Sequence, residues 1–221
     1  MKFRVIVADN PWEFFNKNTG GSFKSGASAK YNTISLQELI DLPVKKIVER
    51  NALLFLWVPT ALSHEVARSG LVESWGFNKV VTKIYWIKIG SLGLGFNFRN
   101  QIEECWVCRR GSVKSFRTAF PNVIMSGEPF DGSGCAPEFV DMMKPIIIIS
   151  RSIKHSQKPE EFWQMIQPSI DKFGLYPCLE MFSRERRPTW MAIGNEISGN
   201  DIRVDLDNLI KENLLTCYYY E

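Results

Sequence analysis

The chain has 221 residues, 45% of them hydrophobic and 13% aromatic with seven tryptophans, enough to close one large core. Its 27 Lys and Arg against 24 Asp and Glu leave a net charge of +3, too small to announce a nucleic-acid binder by charge alone, so a basic groove would have to be local. No run approaches the ~18 apolar residues of a membrane span, and Asp9 interrupts the apolar start before it could serve as a signal sequence; the reading is a soluble, cytoplasmic protein of one domain over residues 1–221.

In chain order, Val5-Ile6-Val7-Ala8 is a short continuous apolar run that stops at Asp9-Asn10-Pro11-Trp12. Such a run reads as a strand buried on both faces of a parallel sheet, where ligands sit beyond the carboxyl ends of the strands. Pro11 drives Asn10 towards extended backbone and so limits where its carbonyl points. A carboxylate, an aimed carbonyl and an indole suit a planar base with an exocyclic amine. Taken alone, a strand followed by a proline turn is the commoner reading.

Residues 16–29 are polar and aperiodic and read as a long loop beside this site. Ser35-Leu36-Gln37-Glu38 is a capping box opening a helix through Leu39 and Ile40, and Val44, Ile47 and Val48 add another turn or two beyond Pro43. Ala52 to Val58 is a second buried strand, Ala61 to Trp75 a helix stopped by Gly76, and Lys79 to Lys88 a third strand. This alternation predicts a doubly wound α/β sheet. Residues 90–95, Gly-Ser-Leu-Gly-Leu-Gly, lead towards a strand at 104–109 rather than a helix and therefore read as a loop, not a dinucleotide fingerprint.

Of the five cysteines only Cys105 and Cys108 are close, and on a strand residues three apart point to opposite faces; with just two histidines, no metal site is expected. Arg99, Arg109, Arg110, Lys114 and Arg117, interleaved with Trp106 and Phe116, suit a nucleic-acid backbone and equally a solvated hairpin. Residues 145–149 form a further strand. His155-Ser156-Gln157-Lys158-Pro159-Glu160-Glu161 opens a helix at Pro159 whose positive end, beside Lys158, suits an anion such as a carboxylate. Residues 178–184 and 190–196 give two more strands, the first leading into Arg184, Arg186 and Arg187 and the second ending in Gly194-Asn195-Glu196. A closing amphipathic helix follows Asp201.

Asp9-Asn10-Pro11-Trp12, the α/β body, His155 to Pro159, and Leu179-Glu180-Met181-Phe182-Ser183-Arg184 followed by Trp190 and Gly194-Asn195-Glu196 stand in one order. In this order the chain, from residue 3 to about 199, resembles the Asp-Pro-Pro-Trp family of S-adenosylmethionine-dependent N6-adenine methyltransferases, which includes the catalytic subunit that methylates mRNA adenosine and bacterial and bacteriophage members. The resemblance implies a Rossmann-like fold: a mostly parallel sheet with helices on both faces and circularly permuted motifs, catalytic tetrapeptide first and cofactor strand last. It implies that Asp9, Asn10, Pro11 and Trp12 form the catalytic motif and that Asp9 meets both the target amine and the methionine end of S-adenosylmethionine. It further implies that Trp12 stacks on adenine, that Tyr31 and Lys158 help bind substrate, and that Lys158, Arg184, Asn195 and Glu196 hold the cofactor.

The family tetrapeptide has Pro where this chain has Asn10. Long members also carry a cofactor-binding segment before the first strand, while this sequence begins two residues ahead of it, so the helix after Asp201 is expected to complete the pocket. Truncation at residue 200 tests that. The expected partner is nucleic acid, DNA ahead of RNA, with no membrane; dimerisation is left open. A non-catalytic subunit of such an enzyme is the competing class, and binding of S-adenosylmethionine separates the two.

Overall fold

The structure is a computed structural model that describes residues 1–13, 33–88, 100–113, 116, 119–126, 148–150 and 158–218, without the side chains of 149, 150 and 214–218. The long loop, the Gly-Ser-Leu-Gly-Leu-Gly stretch, Tyr31, Arg99, Lys114, Arg117 and His155 to Gln157 lie outside the described residues.

An eight-stranded sheet runs in the order β6-β5-β3-β4-β2-β1-β7-β8. Its strands are β1 (Phe3–Asp9), β2 (Val48–Pro59), β3 (Lys79–Lys88), β4 (Ile102–Arg110), β5 (Val123–Ser126), β6 (Ile148–Ser150), β7 (Cys178–Met181) and β8 (Trp190–Ile193). The helices are α1 (Leu36–Asp41), α2 (Ser63–Ser69), α3 (Leu71–Ser74), α4 (Glu160–Lys172), α5 (Asn195–Ser198) and α6 (Ile202–Tyr218). The strand read from Val5 to Ala8 is central: β1 pairs in parallel with β2 on one side and β7 on the other.

Two apolar layers sandwich the sheet, which is why β1 carries no polar alternation. Ile6 and Ala8 face one layer with Leu39, Ile47, Trp75, Leu206 and Leu209 from the helices around α1, α3 and α6. Val5 and Val7 face the other with Phe162, Met165, Ile166 and Ile170 of α4. Helices on both faces and a mostly parallel sheet are thus as the sequence implied.

The exception in direction is β4, antiparallel to both β2 and β3. A reversed strand begins where its neighbours end, so its first residues meet the carboxyl edge of the sheet: Glu103 pairs with Pro59 and with Trp86. As expected, Cys105 and Cys108 fall in opposite layers, and all three cysteines described there and at Cys178 are free and buried. Burial pushes the Cys108 thiol up to about 12, so it behaves as a small apolar group.

Several element boundaries depart from the sequence reading. The helix expected over 61–75 is a 3-10 turn (Thr60–Leu62), α2 and α3, broken at Gly70, whose φ of 76° no continuous helix admits. The turn after Pro43 is a 3-10 segment over Val44–Ile47, and Val48 already belongs to β2. Pro159 is the N-cap of α4, with ψ 137°, rather than its first helical residue. The strand expected to reach Arg184 ends at Met181 because Phe182 turns to φ 58°. The strand expected to reach Glu196 ends at Ile193, and Asn195 and Glu196 open α5 instead.

Candidate active site

The site grows from the carboxyl ends of β1, β2, β3 and β7, the reversed start of β4 and the entry to α4. Asp9 is the last residue of β1 and pairs with Trp57 of β2. Lys158, just ahead of α4, donates to Asp9 at 2.8 Å and to Glu103 at 3.0 Å. Glu103 also pairs with Lys88 at the end of β3. Beneath the charges lie two indoles: Lys158 Nζ sits 5.2 Å from the Trp57 ring centre and 5.9 Å from that of Trp86, and Lys88 Nζ 4.1 Å from Trp86. Trp86 is itself fixed by donating to Ser126 Oγ at 2.8 Å.

Two carboxylates therefore share two ammonium groups, but unequally. Burial pushes Glu103 upward, yet Lys158 and Lys88 together overcome it and hold its carboxyl at about 2. At Asp9 burial wins over the bonded Lys158: its pKa lies above the ordinary aspartate value, with Glu103 adding to the rise and Arg184 opposing it. For Lys158, burial works against the charge, and the Asp9 and Glu103 carboxylates reverse it, raising its pKa above the ordinary lysine value. The Asp9 side chain remains 28% exposed, so this acid is not sealed in the core.

The rest of the tetrapeptide is held rigidly. Asn10 O accepts the Trp12 N–H at 2.9 Å, closing a tight turn around Pro11, and Ile34 N donates to Pro11 O at 2.8 Å. The Trp12 indole N–H donates to Trp57 O at 3.0 Å, and its ring is 6% exposed within the core. Trp12 thus offers little free face for a base. The Asn10 side chain, in a residue 4% exposed, and the indole N–H of Trp57 have no hydrogen-bond partner among the described residues.

On the other side of β1, Arg184 and Glu196 meet at 3.5 Å across the ends of β7 and β8. Their turns interlock: Ser183 N donates to Ile193 O at 3.0 Å, and a Cβ on Gly194, at φ 138°, would stand 2.9 Å from Phe182 Cα. Only glycine fits there. Asp205 of α6 accepts from Gly194 N at 3.0 Å, Ser198 Oγ at 2.7 Å and Asn200 Nδ2 at 3.1 Å, so the closing helix does hold the turn bearing Asn195 and Glu196. Asp205→Ala leaves those donors facing a buried void. A loss of about 1–3 kcal/mol is expected in denaturant unfolding, whereas substitution of exposed Asp207 should change nothing measurable.

The structure thus brings together Asp9, Asn10, Pro11, Trp12 and Lys158, and, just beyond the ends of the adjoining strands β7 and β8, Arg184, Asn195 and Glu196. Sequence reasoning missed Glu103 and Lys88 as site residues. The available signal was a pair of adjacent acids, Glu103 and Glu104, at the head of an apolar strand, which must point one to each face. Glu104 takes the other face, where Lys83, Ser63 and Trp106 each donate to it at 2.7 Å.

Glu180 of β7, partnered with Val7, is a further, partly buried acid on the α4 side. Burial pushes its carboxyl up to about 7 against the pull of Arg187, 3.9 Å away. The folded protein therefore binds this proton more tightly than the unfolded chain. Stability from it is greatest below the ordinary carboxylate range and is lost as pH rises to about 7. Glu180→Gln is expected to stabilise the fold at pH 8 by up to about 3 kcal/mol and to have no effect at pH 4, as read from unfolding midpoints at the two pH values.

A family model described as MT-A70 matches residues 3–196. The chain belongs to the MT-A70 family. The resemblance carried by the tetrapeptide and the two later motifs is borne out, and every residue to which it assigns an expected catalytic or cofactor-binding role falls inside the match. Among its relatives is the type II methyltransferase M.MunI of Mycoplasma sp, 28% identical over 227 residues, covering 96% of this chain and 85% of that one. The N(6)-adenine-specific methyltransferase METTL4 of Mus musculus is 28% identical over 202 residues, 88% of this chain and 37% of its own. The N(6)-adenosine-methyltransferase catalytic subunit METTL3 of Homo sapiens is 25% identical over 210 residues, 90% and 29%. The chain spans most of the first and well under half of the other two. Asp205 lies beyond the MT-A70 match and reaches back to brace its last turn. No helix among the described residues is long and apolar enough to cross a membrane, and no metal-binding cluster of His, Cys, Asp and Glu occurs among them.

Proposed function

We propose that this MT-A70 protein transfers a methyl group from S-adenosylmethionine to the N6 amine of adenine in DNA. The observation that carries the reading is Asp9: an acid at the tip of the central strand, partly exposed, tied to Lys158 and within electrostatic reach of Arg184. Likeness to a type II methyltransferase over 85% of that protein favours DNA.

The residues fit the cofactor by their chemistry. It carries a carboxylate, which suits Lys158, cationic groups, which suit Asp9, and ribose hydroxyls, which suit the exposed Asn195 and Glu196. When bound it supplies a methyl on a positively charged sulfur, an electrophile that needs no metal. The exocyclic amine of adenine is a poor nucleophile because its lone pair is spread into the ring. The Asp9 carboxylate and the second lone pair of Asn10 O, the first being taken by Trp12 N–H, accept its two N–H bonds and stabilise the positive charge that grows as nitrogen pyramidalises. Both acceptors are fixed beforehand, one by Lys158 and one by the turn at Pro11, so the remaining contribution is alignment. Asp9, with its raised pKa, can take the amine proton and pass it to solvent across its exposed surface. Trp12 serves this arrangement chiefly by pinning the motif to β2 through Trp57 O, and only its small exposed edge is offered to the base. In duplex DNA the adenine must be swung out of the stack.

The test is incubation with labelled S-adenosylmethionine and, separately, duplex DNA, single-stranded DNA and RNA, followed by digestion to nucleosides. N6-methyldeoxyadenosine from DNA is the expected product. N6-methyladenosine from RNA alone would move the substrate to RNA, and failure to bind S-adenosylmethionine in calorimetry would make the chain a non-catalytic subunit.

A further inference from the structure

Lys158 enters α4, and Arg184 stands in the turn between β7 and β8. They belong to different segments. Arg187 joins the segments. Its Nη1 donates to Glu160, two residues after Lys158, at 2.8 Å, and its Nη2 to Glu185, the residue after Arg184. Its Nε faces Glu180 of β7 at 3.9 Å, and its guanidinium lies 4.4 Å from the ring centre of Trp163. That ring packs edge-on against Trp190, 5.1 Å between centres, and Trp190 donates to Gln167 at 2.8 Å, so the surface beneath Arg187 is fixed from both α4 and β8. Arg187 itself is 15% exposed, held against Trp163, while the Glu160 and Glu185 carboxylates stay open to solvent.

We propose that Arg187 is a positioning residue of the cofactor site: it fastens the start of α4 to the β7–β8 turn and so sets the separation of Lys158 and Arg184. The inference rests on the reading that those two residues hold S-adenosylmethionine. Arg187 is itself part of the β7–β8 turn, so its bond to Glu160 is the one that crosses to α4, while its second nitrogen, held by Glu185 of the same turn, and its plane against Trp163 fix the direction in which it reaches; an ammonium at the end of a flexible stem has neither the second nitrogen nor the plane. The cofactor, spanning from Lys158 to Arg184, then meets a preset distance and need not order the two segments itself.

The test is calorimetric affinity for S-adenosylmethionine of the full chain carrying Arg187→Met, Arg187→Lys or the double substitution Glu160→Gln with Glu185→Gln, beside Lys158→Met and Arg184→Met. Methyl transfer at saturating cofactor is measured in parallel. Arg187→Met and the double variant are expected to weaken binding on the order of tenfold with little change in kcat, and Arg187→Lys to restore only part of the loss. Wild-type affinity in Arg187→Met, with Lys158→Met and Arg184→Met impaired, overturns the positioning role while leaving the site in place. Full rescue by Lys overturns the need for a planar fork. Unimpaired binding in Lys158→Met and Arg184→Met overturns the cofactor reading itself. Should Arg187→Met fail to fold in a thermal melt, the double variant decides, because it keeps both Arg187 and its indole support; wild-type affinity there overturns the proposal.

Discussion

Asp9→Asn is expected to lose methyl transfer by about 10²–10³-fold or more while still binding S-adenosylmethionine and melting within a few degrees of the wild type. The amide keeps the shape of the acid but turns one of the acceptors facing the amine into a donor, so the growing charge on nitrogen meets repulsion. Stability should survive because the ionised acid is not what holds the fold: burial outweighs Lys158 at Asp9 and raises its pKa. The same shift sets the acidic limb of the wild-type rate. Activity needs the ionised acid, so the rate is expected to fall, as pH is lowered, above the pH at which an ordinary aspartate would titrate, and the limb should vanish from the residual rate of Asp9→Asn. Kinetics across pH at saturating DNA measure both.

Lys158→Met is expected to damage folding and function together. Lys158 is the ammonium common to Asp9 and Glu103. Removing it leaves two neighbouring carboxylates with only Lys88 on the Glu103 side, an uncompensated partly buried charge that costs about 3–5 kcal/mol. The direction with pH follows from the two acids. Without the cation both bind protons more readily in the folded state, so the deficit is largest at pH 8 and shrinks in acid as one of them protonates. Denaturant unfolding of mutant and wild type at pH 8 and pH 5 reads this. Affinity for S-adenosylmethionine should drop roughly 10- to 100-fold, the worth of one charge-assisted hydrogen bond, and Lys158→Arg should recover stability better than affinity.

How much of this was legible beforehand depended on whether the signal was local. The buried strand ending at Asp9 could be read because an unbroken apolar run has one economical explanation, a strand covered on both faces. The capping box at Ser35 and Glu38 stands as read, with both reciprocal bonds made. The direction of β4 was not legible, since apolar alternation is the same in a parallel and an antiparallel strand, and with it went Glu103, which reaches the site only because its strand runs backwards. Gly70, inside the presumed helix, was a readable break. Phe182 was not: a left-handed phenylalanine costs strain that the surrounding turn imposes, and nothing in Met181-Phe182-Ser183 announces it. Trp12 taught a further lesson. An indole beside a candidate site suggests stacking, but its N–H also needs an acceptor, and here Trp57 O supplies it within the core.

The most direct measurement is a structure of the protein with a non-transferable analogue of S-adenosylmethionine and an adenine-containing oligonucleotide. The account predicts the target amine nitrogen within about 2.7–3.2 Å of both an Asp9 carboxylate oxygen and Asn10 O, with Lys158 against the analogue's carboxylate. An adenine seated elsewhere, with its amine out of reach of either acceptor, would contradict it.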